Sequence, residues 1–201
     1  DSNRNMPDNG ENDFKVLKKK YAKGIELRGK SLGIIGFGRI GQNTAKYALG
    51  AGMNILAYDP FMKKVSIEMD IASQKIDVLI NTTSMEELLN NSDFISLHVP
   101  MPKDGNPIIG SNEFEKMKNG VRIVNAARGG VIDEQALINA LKSNKVSFAA
   151  LDVFVGEPKP SKELLENEKI SLTPHIGAAT LEAQDRIGEE LAEKIINFYK
   201  K

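Results

Sequence analysis

Three residues stand where their types could do chemistry: Arg128, Glu157 and His175. Arg128 follows Val121-Arg122-Ile123-Val124-Asn125-Ala126-Ala127 and precedes Gly129-Gly130. Glu157 lies in Asp152-Val153-Phe154-Val155-Gly156-Glu157-Pro158, and His175 in Thr173-Pro174-His175-Ile176-Gly177. Each comes just after a short apolar run that reads as a buried strand. An imidazole exchanges a proton near neutral pH. A carboxylate bonded to it orients the ring and favours its charged form. A guanidinium can fork onto a carboxylate and polarise a neighbouring carbonyl. The set suits hydride transfer at C2 of a 2-hydroxy or 2-keto acid. Singly, each residue has a plainer reading: a surface charge, a solvated turn, a structural donor. Three strand ends meeting at one crevice outweigh those readings together.

The second signal is Gly36-Phe37-Gly38-Arg39-Ile40-Gly41, a GxGxxG. Glycines also punctuate ordinary turns, so the spacing alone is weak. Here it follows a predicted strand and opens a predicted helix, the context the motif requires. Gly36 allows the tight turn, Gly38 lets the backbone approach a pyrophosphate, and Gly41 lets helix and sheet pack closely. The helix start offers free N–H groups and a positive dipole end to phosphates. Asp59 follows Gly41 by 18 residues, at the end of the next strand. A carboxylate there accepts from both ribose hydroxyls and repels a 2′-phosphate, which favours NAD over NADP. Lys63 and Lys64 come soon after and weaken that discrimination.

The elements that must position these groups alternate. Strands are predicted at Ser31–Ile35, Met53–Tyr58, Phe94–Val99, Val121–Val124, Ser147–Val153 and Ile170–Leu172. Helices are predicted at Arg39–Ala51, Glu86–Asn90 and Ser111–Lys118, and after a cap at Asp133. A long helix starts near Thr180, with Ile187, Leu191 and Ile195 on one face. Strand–helix alternation with continuous apolar strands gives a parallel sheet covered on both sides. The right-handed crossover rule makes that an α/β doubly wound, Rossmann-type fold. Residues 1–23 read as a polar lead-in over 1–13 and a short helix, and residues 24–201 as one dinucleotide-binding domain ending in the long helix.

Composition sets the outer bounds. The 201 residues hold 27 Lys plus Arg and 27 Asp plus Glu, so bulk charge argues against a nucleic-acid or membrane-surface binder. With no Cys, disulfides, thiolate-held metals and thiol nucleophiles are excluded, and two His leave no His-rich metal site. No uncharged apolar stretch approaches the roughly 18 residues of a membrane span. The polar start shows no apolar signal region, and the cytoplasm is the expected location.

The motifs in order resemble the D-isomer-specific 2-hydroxyacid dehydrogenases. The matching segments run from Gly29-Lys30-Ser31-Leu32-Gly33 through the glycine loop, Ser96-Leu97-His98-Val99-Pro100, Asn125 to Gly130, Asp152 to Pro158 and Thr173 to Gly177. The resemblance covers the chain from about Gly24 onward. It implies Arg128 as substrate binder, Glu157 as partner of the histidine and His175 as proton donor or acceptor. It also implies NAD contacts at Gly36, Gly38, Arg39, Ile40, Gly41, Asp59, Val99, Pro100, Ala126, Ala127, Arg128, Asp152, His175, Gly177 and Ala178. Asp152 would face the nicotinamide carboxamide. Strand ends alone do not rank His98 against His175; the resemblance places His98 near the cofactor and not as the base.

The sequence also departs from the family. Ala178 stands where many relatives have Gly. Met101 to Asn106 replaces a threonine-containing loop, and Lys63 to Thr83 is longer than usual, with no function assigned. The substrate domain that flanks the cofactor domain in relatives is absent from this chain. By itself the chain is therefore expected to bind NAD(H) and to turn over poorly or not at all. The partners implied are a small 2-hydroxy or 2-keto acid and further copies of the chain, as a dimer or tetramer. Two other classes share parts of the signal. An NAD-responsive corepressor-type binding protein would keep the same trio, and a nucleotide-dependent methyltransferase would share the glycine loop without it.

Overall fold

The computed structural model describes residues 2–22 and 24–200. Strand β1 (Ser31–Ile35) leads into α2 (Arg39–Gly50) and β2 (Asn54–Tyr58), and α1 (Ser2–Tyr21) precedes them. Next come β3 (Lys64–Ile71), β4 (Gln74–Asn81), α3 (Met85–Asn91) and β5 (Phe94–Leu97). The second half holds α4 (Ser111–Lys116), β6 (Val121–Asn125), α5 (Glu134–Lys142), β7 (Val146–Leu151), α6 (Lys162–Leu165), β8 (Ile170–Leu172) and α7 (Leu181–Tyr199). Six strands form one sheet in the order β2-β1-β5-β6-β7-β8, every pair parallel. All their carboxyl ends therefore lie on one edge. Strand order reverses between β1 and β5, where open sheets of this kind form a ligand crevice.

Burial on β1 follows the pattern expected of a strand covered on both faces, whereas β6 and β7 alternate and leave one face open. The coverage of both faces expected from sequence thus holds only for part of the sheet. Four of the five β1 residues are buried. One core cluster gathers Ile35, Ile95, Leu97, Ile123 and Leu137. A second gathers Ile34, Phe37, Ala45 and Ile67 around β1 and α2. Side-chain caps fix the helix starts. Ser84 accepts from the Glu87 N–H, Asp133 from Ala136 and Thr180 from Ala183.

Three features differ from the sequence reading or add to it. The expected irregular lead-in is helical over its described part: α1 runs from Ser2, with non-helical φ and ψ only at Asp13. Its Asn- and Asp-rich composition disfavours helix interiors, and that local preference is overridden. Asp1 and Lys23 lie outside the described residues. The unassigned segment after Lys63 is an antiparallel hairpin, with β3 and β4 paired residue for residue. Its turn, Ala72-Ser73, takes positive φ at both positions, 50° and 65°, without a glycine. Val65, Ile67 and Met69 alternate along β3 and lay one face on the α2 cluster. Third, the stripe Ile187, Leu191 and Ile195 on α7 is exposed. So are Val124 and Phe148 on the sheet, at 37% and 54%.

Candidate functional site

The glycine loop bridges β1 and α2 at the reversal point. Gly36 has φ of +90°, a conformation that side chains resist. A Cβ there would collide with the His98 carbonyl oxygen and lie 2.7 Å from Val99 Cγ1. The loop therefore sits directly against the chain leaving β5, which brings Val99 to the crevice. A Cβ on Gly41 would strike the Gly36 carbonyl. At Gly38 the built Cβ meets nothing within 4 Å, so this backbone faces open space. Helix α2 starts with no side-chain cap and no acidic residue in its first turn. Uncapped N–H groups and a bare backbone fit an anionic diphosphate.

Asp59 is tied to the same loop. Its Oδ2 accepts from the Phe37 N–H at 2.9 Å and its Oδ1 from the Phe61 N–H at 2.9 Å. Each oxygen keeps a further lone pair for a ligand hydroxyl. Arg39 and Ile40 are exposed beside it, and Arg39 lies 3.4 Å from Glu190 on α7.

The trio sits at the tips of β6, β7 and β8. Asn125, Leu151 and Leu172 are level across these strands, so Arg128, Glu157 and His175 leave the same edge. His175 Nδ1 and Glu157 Oε2 are 2.8 Å apart. Glu157 Oε1 accepts from the Phe154 N–H at 2.8 Å. The bond to His175, then the one from Phe154, holds the Glu157 carboxyl below its ordinary range. With Nδ1 engaged by the carboxylate, Nε2 is the nitrogen left for proton exchange. Asn125 shapes the arginine loop: its side chain donates to the Arg128 carbonyl and accepts from the Ala127 N–H, both at 3.0 Å. Arg128 itself donates to the Ala127 carbonyl at 2.6 Å. Pro100, Ala126 and Ala178 all lie in loops beyond the same edge.

Asp152 holds the histidine loop. Its Oδ1 accepts from Thr173 Oγ1 at 2.6 Å and from the Ile176 N–H at 2.8 Å, and its Oδ2 from the Gly177 N–H at 2.8 Å. These bonds bracket His175, whose φ is +55°. Asp152 is thus the anchor of the loop as well as a group beside the crevice. Burial pushes its carboxyl up, but the Thr173, Ile176 and Gly177 bonds and nearby His175 outweigh that, leaving it below the usual value. A lowered folded pKa adds stability above the unfolded value of about 3.9 and loses it as pH falls through the folded value. We expect Asp152→Asn to be less stable than wild type near neutral pH, with the gap closing on acidification below about pH 4. Urea unfolding across that range checks this. A gap that stays constant would mean the charge plays no part.

The structure separates the two histidines. His98 is half-buried with Nε2 2.9 Å from Ser96 Oγ, and burial lowers its pKa. Asn125, Thr173 and Glu134 were not singled out by sequence. Glu134 Oε1 accepts from the Val155 N–H at 2.7 Å. Burial, opposed by that bond, raises its carboxyl pKa. In sequence it looks like an ordinary first-turn acid after the Asp133 cap. Asn125 had a signal: a polar residue ending an apolar strand. Among the described residues no cluster of His, Cys, Asp or Glu could hold a metal, and no helix is long and apolar enough to cross a membrane.

Comparison with known proteins then places this geometry. Residues 4–177 match the family described as D-isomer specific 2-hydroxyacid dehydrogenase, NAD binding domain. The chain belongs to that family. It is 46% identical over 184 residues to a D-3-phosphoglycerate dehydrogenase of Archaeoglobus fulgidus, covering 91% of this chain and 33% of the relative. It is 49% identical over 181 residues to a hydroxypyruvate reductase of Thermotoga maritima, covering 89% of this chain and 56% of the relative. A D-lactate dehydrogenase from Aquifex aeolicus, solved with NAD and lactic acid, superposes with a TM-score of 0.70 at 32% identity. That match covers 93% of this chain and 60% of that one. The chain thus spans about a third to just over half the length of these curated relatives. The residues present are the NAD-binding domain, and the substrate domain is not among them.

Proposed function

We propose that this chain is the cofactor-binding half of an NAD-dependent D-2-hydroxyacid dehydrogenase, acting on D-3-phosphoglycerate and its keto form at the entry to serine synthesis. The observation that carries the reading is the 2.8 Å His175–Glu157 pair on the sheet edge shared with Arg128 and the glycine loop. NADH held there would supply the hydride for C2 of the keto acid. His175 Nε2 gives a proton to the carbonyl oxygen, and Glu157 holds the ring and stabilises its charged form. Arg128 binds the substrate carboxylate and polarises the carbonyl. In the oxidative direction the proton returns to His175. The amides at the start of α2 would hold the diphosphate, Asp59 the adenosine ribose, and Asp152 the carboxamide end. Val99, Pro100, Ala126, Ala127 and Ala178 would contact the cofactor between them.

Relatives named D-3-phosphoglycerate dehydrogenase favour phosphoglycerate. The hydroxypyruvate reductase at 49% identity favours a smaller, unphosphorylated keto acid instead. NADH oxidation by the full-length protein with phosphohydroxypyruvate, hydroxypyruvate and glyoxylate separates the two. Preference for the phosphorylated acid is expected, and activity confined to the others would displace that choice. A cytoplasmic homo-oligomer also belongs to this reading. The exposed Val124 and Phe148 support the self-association, because parallel sheets are ordinarily covered on both faces.

Asp59 gives a test at the other end of the cofactor. Asp59→Ala should weaken NADH binding by roughly tenfold, about 1.4 kcal/mol, and relax exclusion of NADPH. Fluorescence titration with both nucleotides reads it. An unchanged preference would remove Asp59 from the ribose.

A further inference from the structure

The Glu157 loop is held from behind by a carboxylate that the reaction itself does not need. Residues 153–157 leave β7 and must turn so that Glu157 reaches His175. Two contacts fix that turn. The Gly129 backbone presses on the Phe154 carbonyl so closely that a Cβ at Gly129 would overlap it. From the other side, Glu134 Oε1 accepts from the Val155 N–H at 2.7 Å. The Phe154 N–H in turn donates to Glu157 Oε1 at 2.8 Å, and Glu157 Oε2 meets His175 Nδ1 at 2.8 Å. A continuous chain of short contacts thus runs from the first turn of α5 to the imidazole. Helix α5 is rigidly seated, with Ala136, Leu137, Ile138, Ala140 and Leu141 buried.

We infer that Glu134 is a positioning residue for the proton relay, acting as a strut from α5 that sets the Val155 backbone and through it the Glu157–His175 pair. It touches neither substrate nor cofactor in this account. The inference rests on the proposed dehydrogenase reading for its effect on turnover, but the strut itself is a property of the fold. What the Val155 N–H needs is an acceptor at the right reach, not a charge. A glutamine keeps that acceptor. An alanine removes it, and an aspartate keeps the charge but falls short by one methylene.

The test compares Glu134→Ala, Glu134→Asp and Glu134→Gln in the full-length protein. Alanine and aspartate should lower kcat about 10- to 100-fold, the scale of a small misplacement of a reacting group, with KM for NADH little changed. Their pH–rate profiles for keto-acid reduction should move toward that of Glu157→Gln. Glutamine should restore both. A folded alanine or aspartate variant with wild-type kcat and pH profile would overturn the inference, as would a glutamine variant as impaired as alanine. Hydrogen exchange at the Val155 amide, measured without cofactor, keeps the question separate from the enzymatic reading. Protection should persist in wild type and Glu134→Gln and be lost in the other two. Equal protection in all four refutes the strut even if no keto acid is reduced. Absence of turnover in wild type with the exchange pattern intact would count against the enzymatic reading alone.

Discussion

His175→Ala in the full-length protein is expected to cut turnover by about 10²–10⁴-fold while NADH still binds. The size follows from removing a positioned proton donor. The retained binding follows from the distance between elements: the glycine loop and Asp59 belong to β1, α2 and β2, and His175 to the loop after β8. Its Nδ1 is already committed to Glu157 at 2.8 Å, so the residue has one nitrogen to offer and one task. Glu157→Gln should give a smaller loss with a distinct signature. Reduction requires the protonated imidazole, and a neutral amide stabilises that charge less. The pH dependence of reduction should therefore differ from that of wild type. An alanine variant at 175 with near-normal turnover would transfer the proton chemistry to another group.

The second large effect lies at the cofactor's other end. Gly36→Ala should destabilise the protein by about 2–4 kcal/mol and abolish measurable NADH binding. The φ of +90° disfavours any side chain, and the added methyl runs into the His98 carbonyl and Val99. Relief requires the glycine loop and the chain leaving β5 to separate. That separation opens the strand-order reversal where the diphosphate would sit. Thermal unfolding and fluorescence titration read the two consequences separately. A variant with wild-type stability and affinity would show that the loop has room that this packing denies.

Much of this site can be read from residues because its signals are local. Ser31–Ile35 forms β1 with the predicted ends. The glycine spacing and Asp59 need only a strand, a turn and a helix in succession. Arg128, Glu157 and His175 are legible only jointly, because each type is common at surfaces and the topology that gathers them is a property of the whole sheet. Other features depend on contacts far apart in sequence. Nothing local in Glu134 marks a partner at Val155, 21 residues away. Nor does Asp152 announce that its carboxylate bridges Thr173, Ile176 and Gly177. The β3–β4 hairpin hides for a different reason. Its strands alternate clearly, but Ala72 and Ser73 make a left-handed turn without the glycine or asparagine that usually marks one. The α7 stripe shows the converse limit: a helical period is visible, and what covers it is not.

The most direct measurement is a crystal structure of the protein with NADH bound. The diphosphate is expected on the backbone amides at Gly38 to Gly41, Asp59 on the adenosine ribose, and the nicotinamide C4 between the Arg128 guanidinium and His175 Nε2. A nucleotide seated away from the glycine loop would contradict this placement, and so would a nicotinamide ring that reaches neither side chain.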